Sequence, residues 1–109
     1  MSEPIAGFDW DEGNLPKCER HGVRIDEIET AFQGPMRVSP DEAHSAAETR
    51  YLGIGRSTSG RYLLVAFTYR EIDKRRLIRP ISARFMHAKE VRYYEAQIQA
   101  PEKTSSSAE

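Results

Sequence analysis

Asp41, His44, Glu48 and Arg50 lie within ten residues of one another. Together they supply the group types that metal-free cleavage of an RNA phosphodiester needs. In that chemistry a ribose 2′-hydroxyl attacks the adjacent phosphorus. A base must take its proton, an acid must protonate the departing 5′-oxygen, and cations must surround the phosphorane. Histidine and glutamate can exchange the protons near neutral pH, and arginine supplies a charge that does not titrate there. The same residues have ordinary alternatives: His44 as an exposed loop histidine, and Glu48 as the ion-pair partner of Arg50 or of a sheet arginine. His21 reads as a cation favoured by the dipole at a helix C-terminus, and His87 as a surface residue opening another helix.

The surrounding charge is segregated. The formal net charge is −1, yet residues 1–48 hold eleven acidic and four basic side chains, whereas residues 49–100 hold four acidic and eleven basic ones. In the basic half the arginines alternate with apolar residues in strand-like runs, which predicts a sheet face carrying fixed guanidinium groups suited to phosphate. Arg50, Arg56, Arg70, Arg79 and Arg84 are the binding candidates. Arg84 shares a face with Ser82 and is the strongest of them. Arg79 precedes Arg84 by five residues and so falls on the opposite face of a regular strand; Pro80 would have to mark a bulge for both to meet one ligand. Tyr93 and Tyr94 are adjacent on a helix and face different ways. Tyr94 has the apolar spacing, which leaves Tyr93 for base stacking or a protein contact. A basic half can equally arise because it packs against the acidic half.

The elements that must position these groups follow from pattern. At 109 residues and 12.4 kDa the chain has room for one core, expected over residues 8–100 between loose tails at 1–7 and 101–109. Phe8-Asp9-Trp10 predicts a short edge strand with Trp10 as the largest core contributor. Asn14 is placed to cap a short helix that admits Pro16 and stops at Gly22. Asp26 and Glu29 fit a capping box for a second helix with Ile25, Ile28, Ala31 and Phe32 on one face. Residues 50–56, 61–70 and 75–85 predict three antiparallel strands, with turns at 57–60 and 71–74. Pro80 predicts an edge position or a bulge. A helix from His87 to Ala100 closes an α+β domain of two short N-terminal helices, an antiparallel meander and a C-terminal helix.

Other chemistry finds little support. The scattered histidines and the lone Cys18 offer no metal-ligand spacing, disulfide or cofactor motif. Gly53, Gly55 and Gly60 fall in a strand and hairpin, not in a phosphate loop. No apolar run is long enough to span a membrane and no secretory signal opens the chain, so a cytoplasmic protein is expected.

Phe8-Asp9-Trp10-Asp11, then Arg20-His21-Gly22-Val23, then Asp41, His44, Glu48 and Arg50, then Gly55-Arg56-Ser57 with Gly60-Arg61, and finally Ile81-Ser82-Ala83-Arg84 with Glu90 and Tyr94-Glu95, resemble the BrnT family of bacterial toxins. Six pieces in order at compatible spacing carry the likeness over roughly residues 8–95. The resemblance implies a RelE-like fold and ribosome-independent RNA cleavage. It also implies neutralisation by a BrnA-like antitoxin with a ribbon-helix-helix part, through which alone the protein would meet DNA. The expectation is therefore a type II toxin acting as a metal-independent endoribonuclease. His44 and Glu48 would be its acid/base pair and Arg84 its phosphorane cation. The alternatives are a non-catalytic module of the same fold that binds RNA or an antitoxin, and an interaction protein whose basic face meets an acidic partner.

Overall fold

The structure, a computed structural model, describes residues 5–107. Its elements run β1 (Ile5–Phe8), α1 (Leu15–Glu19), α2 (Ile25–Gln33), β2 (Arg37–Pro40), a single 3-10 turn (Glu42–His44), β3 (Tyr51–Arg56), β4 (Tyr62–Ile72), β5 (Arg75–Phe85) and α3 (Ala88–Ser107). One five-stranded sheet has the order β1-β5-β4-β3-β2. The consecutive strands β2 to β5 form an antiparallel meander, and β1 joins its far side parallel to β5. The α+β class and the closing helix agree with the sequence expectation.

Several local expectations are corrected. Residues 5–7, expected in a tail, belong to β1, and Asp9 and Trp10 follow that strand instead of forming it. Residues 101–107 continue α3, while 1–4 and 108–109 lie outside the described residues. Strand β2 has no counterpart among the expected strands: four exposed residues including a proline offer no alternation to read. Arg24, not Asp26, takes the N-cap position of α2. A guanidinium has no acceptor, so only the reverse half of a capping box forms, with the Arg24 N–H donating to Glu27 Oε1 at 2.9 Å. Glu29 instead accepts from Trp10 Nε1 at 3.0 Å, which anchors the indole at the edge of the core and not within it.

The two faces of the sheet differ because strand residues alternate sides. On one face Leu63, Val65, Phe67, Ile78 and Ala83 pack against Cys18, Val23, Ile28 and Ala31 of the helical layer. Phe67 is the hub, with Phe32, Tyr51 and Tyr69 ringed around it at centroid separations of 4.9, 5.6 and 5.5 Å. Cys18 is wholly buried, and burial pushes its thiol up to about 11, which leaves it inert as a nucleophile. Asp73 and Lys74 form the tight β4–β5 turn with φ of 53° and 64°, the left-handed pair that a two-residue hairpin uses to match strand twist.

Gly53 and Gly55 pair with Val65 and Leu63 on the covered face, where α2 and Met36 come close. A Cβ on Gly55 would lie 2.8 Å from Met36 Cε and 3.1 Å from the Ala31 carbonyl oxygen, and that backbone atom cannot swing aside. Gly55→Ala is expected to cost about 1–3 kcal/mol. Gly34 has an ordinary φ of −98°, and a methyl group added there would meet nothing within 4 Å, so Gly34→Ala should stay within about 0.5 kcal/mol of the parent. Thermal melts of the two variants check the contrast; equal melting temperatures would contradict close packing at Gly55.

Candidate nucleic-acid interface

The opposite face of the sheet carries no layer from α1 or α2. Register places Arg50, Leu52, Ile54 and Arg56 there from β3 and its approach, Tyr62, Leu64, Ala66, Thr68 and Arg70 from β4, and Leu77, Arg79, Ser82 and Arg84 from β5. Its middle is a half-buried apolar strip, and its ends are cationic. Only the first turns of α3 lean over one end, where the Tyr94 ring meets Tyr62 edge-on at 5.4 Å.

Arg79 and Arg84 share this face because of an irregularity in β5. Ala66 pairs with Ser82 and Phe67 with Pro80, so Ile81 is an extra residue on β5. That is the bulge the sequence required for both arginines to point one way. Two groups make it: Pro80 has no N–H to give the ladder, and its carbonyl accepts from the sequence-distant Asn14 Nδ2 at 2.7 Å. Asn14, buried at 2 % exposure, also donates to the Asp9 carbonyl and accepts from the Asp11 N–H. It heads α1 but makes no side-chain cap bond within that helix; its amide ties the 9–14 loop to the bulge.

The arginines are engaged in different ways. Arg79 is 13 % exposed and held by Asp9 (3.1 Å) and Asp11 (3.0 Å). Its hydrogen bond is the main cause that holds the Asp11 carboxyl below the usual range, so this guanidinium is spent on fixing the loop. Arg56 lies over the Tyr62 ring at 4.3 Å and donates to its hydroxyl. Arg84 makes a two-pronged pair with Glu90 of α3, at 2.9 and 2.8 Å, yet about a third of its side chain faces solvent. Arg70 pairs with Glu48 at 3.6 Å.

His44 is 68 % exposed and its Nδ1 lies 3.0 Å from Asp41, in a loop that a Ser45 hydroxyl closes against Arg50. Thr68 Oγ1 donates to the Thr49 carbonyl and fixes the far end of that loop to β4. Glu48 thus stands at the Arg70 end of the sheet. Arg84 lies opposite Leu64, six residues from Arg70 along β4 or about 20 Å at strand rise. The structure therefore brings Glu48 to Arg70 and does not bring it to Arg84. Tyr93 is exposed, accepts from Gln97, and lines an apolar groove of about 710 Å³ with Ile54, Leu64 and Met86, while Tyr94 is the half-buried member of the pair.

His21 directly follows Arg20, the C-cap of α1, and so stands at the helix end that the sequence suggests. There α1 stops at Glu19, Gly22 turns the chain at φ +82°, and His21 also lines a cavity of about 230 Å³ together with Arg84, Ser82, Leu52, Leu64 and Ala66. No spacing in the sequence links residue 21 to residue 84, because packing of α1 along β5 is what brings both to one cavity. Among the described residues no three or more His, Cys, Asp or Glu side chains gather as a metal site, and no helix is long and apolar enough to cross a membrane.

The Arg84–Glu90 pair carries a pH expectation. Hydrogen bonds from Arg84 first, and from the His87 N–H second, lower the Glu90 carboxyl to about 2 from an ordinary 4.5. A carboxyl depressed on folding stabilises the paired state fully above its unfolded value, and the stabilisation is lost as pH falls through the folded value. The hold on α3 should thus be intact above pH 4.5 and fade towards pH 2. A carbon-detected titration of Glu90 with a midpoint near 4.5 would contradict a lasting pair.

Residues 10–90 match the family model described as ribonuclease toxin, BrnT, of type II toxin-antitoxin system. No curated protein matches the chain. The matched span runs from the Trp10 anchor through α1, α2 and strands β2 to β5 to Glu90, and so contains the bulge, His21 and Arg84 together. With three quarters of its length inside that match, the chain belongs to the BrnT family of ribonuclease toxins of type II toxin-antitoxin systems.

Proposed function

We propose that the uncovered sheet face binds RNA and that the protein cuts it without a metal, by attack of a 2′-hydroxyl on the neighbouring phosphorus. Membership of a type II family brings with it an antitoxin partner and an RNA target. Within that frame the protein is a RelE-like cytoplasmic endoribonuclease. Its partner is a BrnA-like antitoxin that covers the same face and supplies the only link to DNA. The observation that carries the reading is Arg84. It is a partly exposed guanidinium, held in a fixed plane by Glu90, on a sheet face that no helix of the first layer covers. Such a group can pass from a carboxylate to a phosphate without changing geometry, since both accept the same fork of donors.

Arg84 with Ser82 holds the scissile phosphate, and Arg50, Arg56 and Arg70 hold phosphates along the strand, with Tyr93 stacking a base beyond. Arg79 adds field more than contact, because two aspartates already occupy it. His44 and Glu48 are the acid/base pair put forward by the sequence, and their position beside Arg70 sets up a clear contrast. Chemistry at their end of the sheet would make Arg70 the essential cation, whereas chemistry in the cavity would make it Arg84. A second reading, a module that binds RNA or antitoxin without cutting, is favoured by one observation: Glu90 already satisfies Arg84.

RNA affinity should fall steeply with salt, with a log–log slope of about −0.7 per phosphate contact for a single strand. Arg84→Ala should flatten that slope by about one contact and lower cleavage by about a hundredfold or more. Cleavage should persist in EDTA and leave 2′,3′-cyclic phosphate ends. Salt-dependent binding without any cleavage would establish the second reading, and no RNA binding at low salt would end both.

Glu90→Gln frees Arg84 from a full negative charge, so RNA should bind several-fold more tightly to this variant at low salt. Filter binding across a salt series checks it. Weaker binding than the parent would mean that Glu90 prepares Arg84 for the ligand instead of competing for it.

A further inference from the structure

The geometry points to His21 as the group that takes the 2′-hydroxyl proton, with the reacting dinucleotide seated in the cavity between the α1–α2 corner and the Arg84 end of the sheet. This rests on the ribonuclease reading and deepens it by naming where the reaction occurs and which residue moves the proton. Three features of the cavity converge on it. A cation is held in place at one side, where Glu90 fixes the plane of the Arg84 guanidinium. His21 lines the same space from a different element, and histidine is the side chain whose ordinary titration lies nearest neutral pH. Between them the floor is apolar, from Leu52, Leu64 and Ala66, and Ser82 adds a hydroxyl. At about 230 Å³ the space is smaller than a drug-sized pocket and suits a phosphate with the ribose that bears it.

The other histidines do not share this space. His44 is tied to Asp41 at the Arg70 end. His87 gives its backbone N–H to Glu90 and lines the apolar groove with Tyr93, on the far side of the ion pair. An exposed histidine ordinarily needs no explanation, but this one lines one cavity with both the fixed cation and the apolar floor. Gly22 makes that possible: its left-handed φ of +82° bends the chain directly after His21, and its N–H donates to the Glu19 carbonyl at 3.0 Å.

The step balances without a further reactant. His21 accepts the 2′-hydroxyl proton as the O2′–P bond forms. The P–O5′ bond breaks, the 5′-oxygen takes a proton from water, and the hydroxide left behind takes the proton back from the imidazolium. The products are a 2′,3′-cyclic phosphate and a 5′-hydroxyl, and Arg84 compensates the charge that builds on the non-bridging oxygens.

The test uses the full chain in two arms. In the first, cleavage of a short RNA is measured for the parent and for His21→Ala, His21→Gln, His44→Ala and His87→Ala, each checked by thermal melt. Both His21 variants should fall about a hundredfold or more. Added imidazole should restore part of the His21→Ala rate and none of the Arg84→Ala rate, while His87→Ala stays within a few-fold of the parent. His21→Gln at the parent rate, or loss confined to His44→Ala, overturns the inference and leaves the ribonuclease reading standing. In the second arm a 2′-O-methyl dinucleotide, which cannot be cut, is titrated into the parent while the histidine ring resonances are followed by NMR. His21 should shift and His44 should not. A parent that cuts no RNA while the dinucleotide still shifts His21 ends the ribonuclease reading and with it the proton role, and keeps the cavity as a nucleotide site. No shift at His21 removes the site itself.

Discussion

The hydrogen bond from Asn14 to the Pro80 carbonyl, inside the β5 bulge, is the contact on which the basic face depends. A regular β5 would turn Arg79 and Arg84 to opposite sides of the sheet, and one of them would have to enter the core or unpair the strand. The extra residue at Ile81 removes that conflict. Proline alone opens the ladder, because it lacks a donor. The bulge becomes a fixed feature only when a buried amide satisfies the exposed carbonyl; a buried acceptor left without a partner costs about 1–3 kcal/mol. The same amide holds the 9–14 loop, and that loop brings Asp9 and Asp11 to Arg79. The loop, α1 and the second half of β5 are therefore one mechanical unit.

That unit explains how a small protein divides its sheet into a packed side and an open side. On the packed side Phe67 gathers three other aromatic rings, and the glycines of β3 let α2 approach so closely that a methyl group would not fit at Gly55. On the open side the cations are not left loose. Arg56 lies on Tyr62, Arg70 meets Glu48, and Arg84 meets Glu90. A held guanidinium has already lost much of its rotational freedom, so a phosphate that displaces a carboxylate meets less entropic opposition than it would from a free side chain.

The charge segregation in the sequence is resolved by two different contacts. Part of the acidic half does fold against the basic half, as Asp9 and Asp11 on Arg79 and Glu48 on Arg70 show. Arg50, Arg56 and Arg84 lie on the face that α1 and α2 leave open, whereas Arg61 and Arg76 lie over Phe85 and Tyr69 of the other face. The packing reading thus holds for Arg70 and Arg79, and the register of the strands decides which arginines stay on the open face.

Features that depend on neighbours along the chain were legible before any folding. The alternation of Leu63, Val65 and Phe67, the helical spacing of Ile28, Ala31 and Phe32, and the turn at 71–74 each carry their own local signal, and each element formed about where that signal lies. The six ordered segments likewise identified the family that the match over residues 10–90 shows. Packing settled the parts that have no local signal. Strand β2 is set by pairing with β3, and β1 by a parallel partner about seventy residues away. The bulge was legible only as a condition attached to Pro80, because its cause, Asn14, lies sixty-six residues upstream. The grouping of the site was least legible of all. Asp41, His44, Glu48 and Arg50 are close in sequence, yet Arg84 lies about 20 Å along the sheet from their end. His21 has the local signature of a helix end, and yet it shares a cavity with Arg84. Proximity along a chain limits which groups are able to meet in a loop; proximity across a sheet is fixed by register and by the packing of helices on its edge, and these depend on every strand at once.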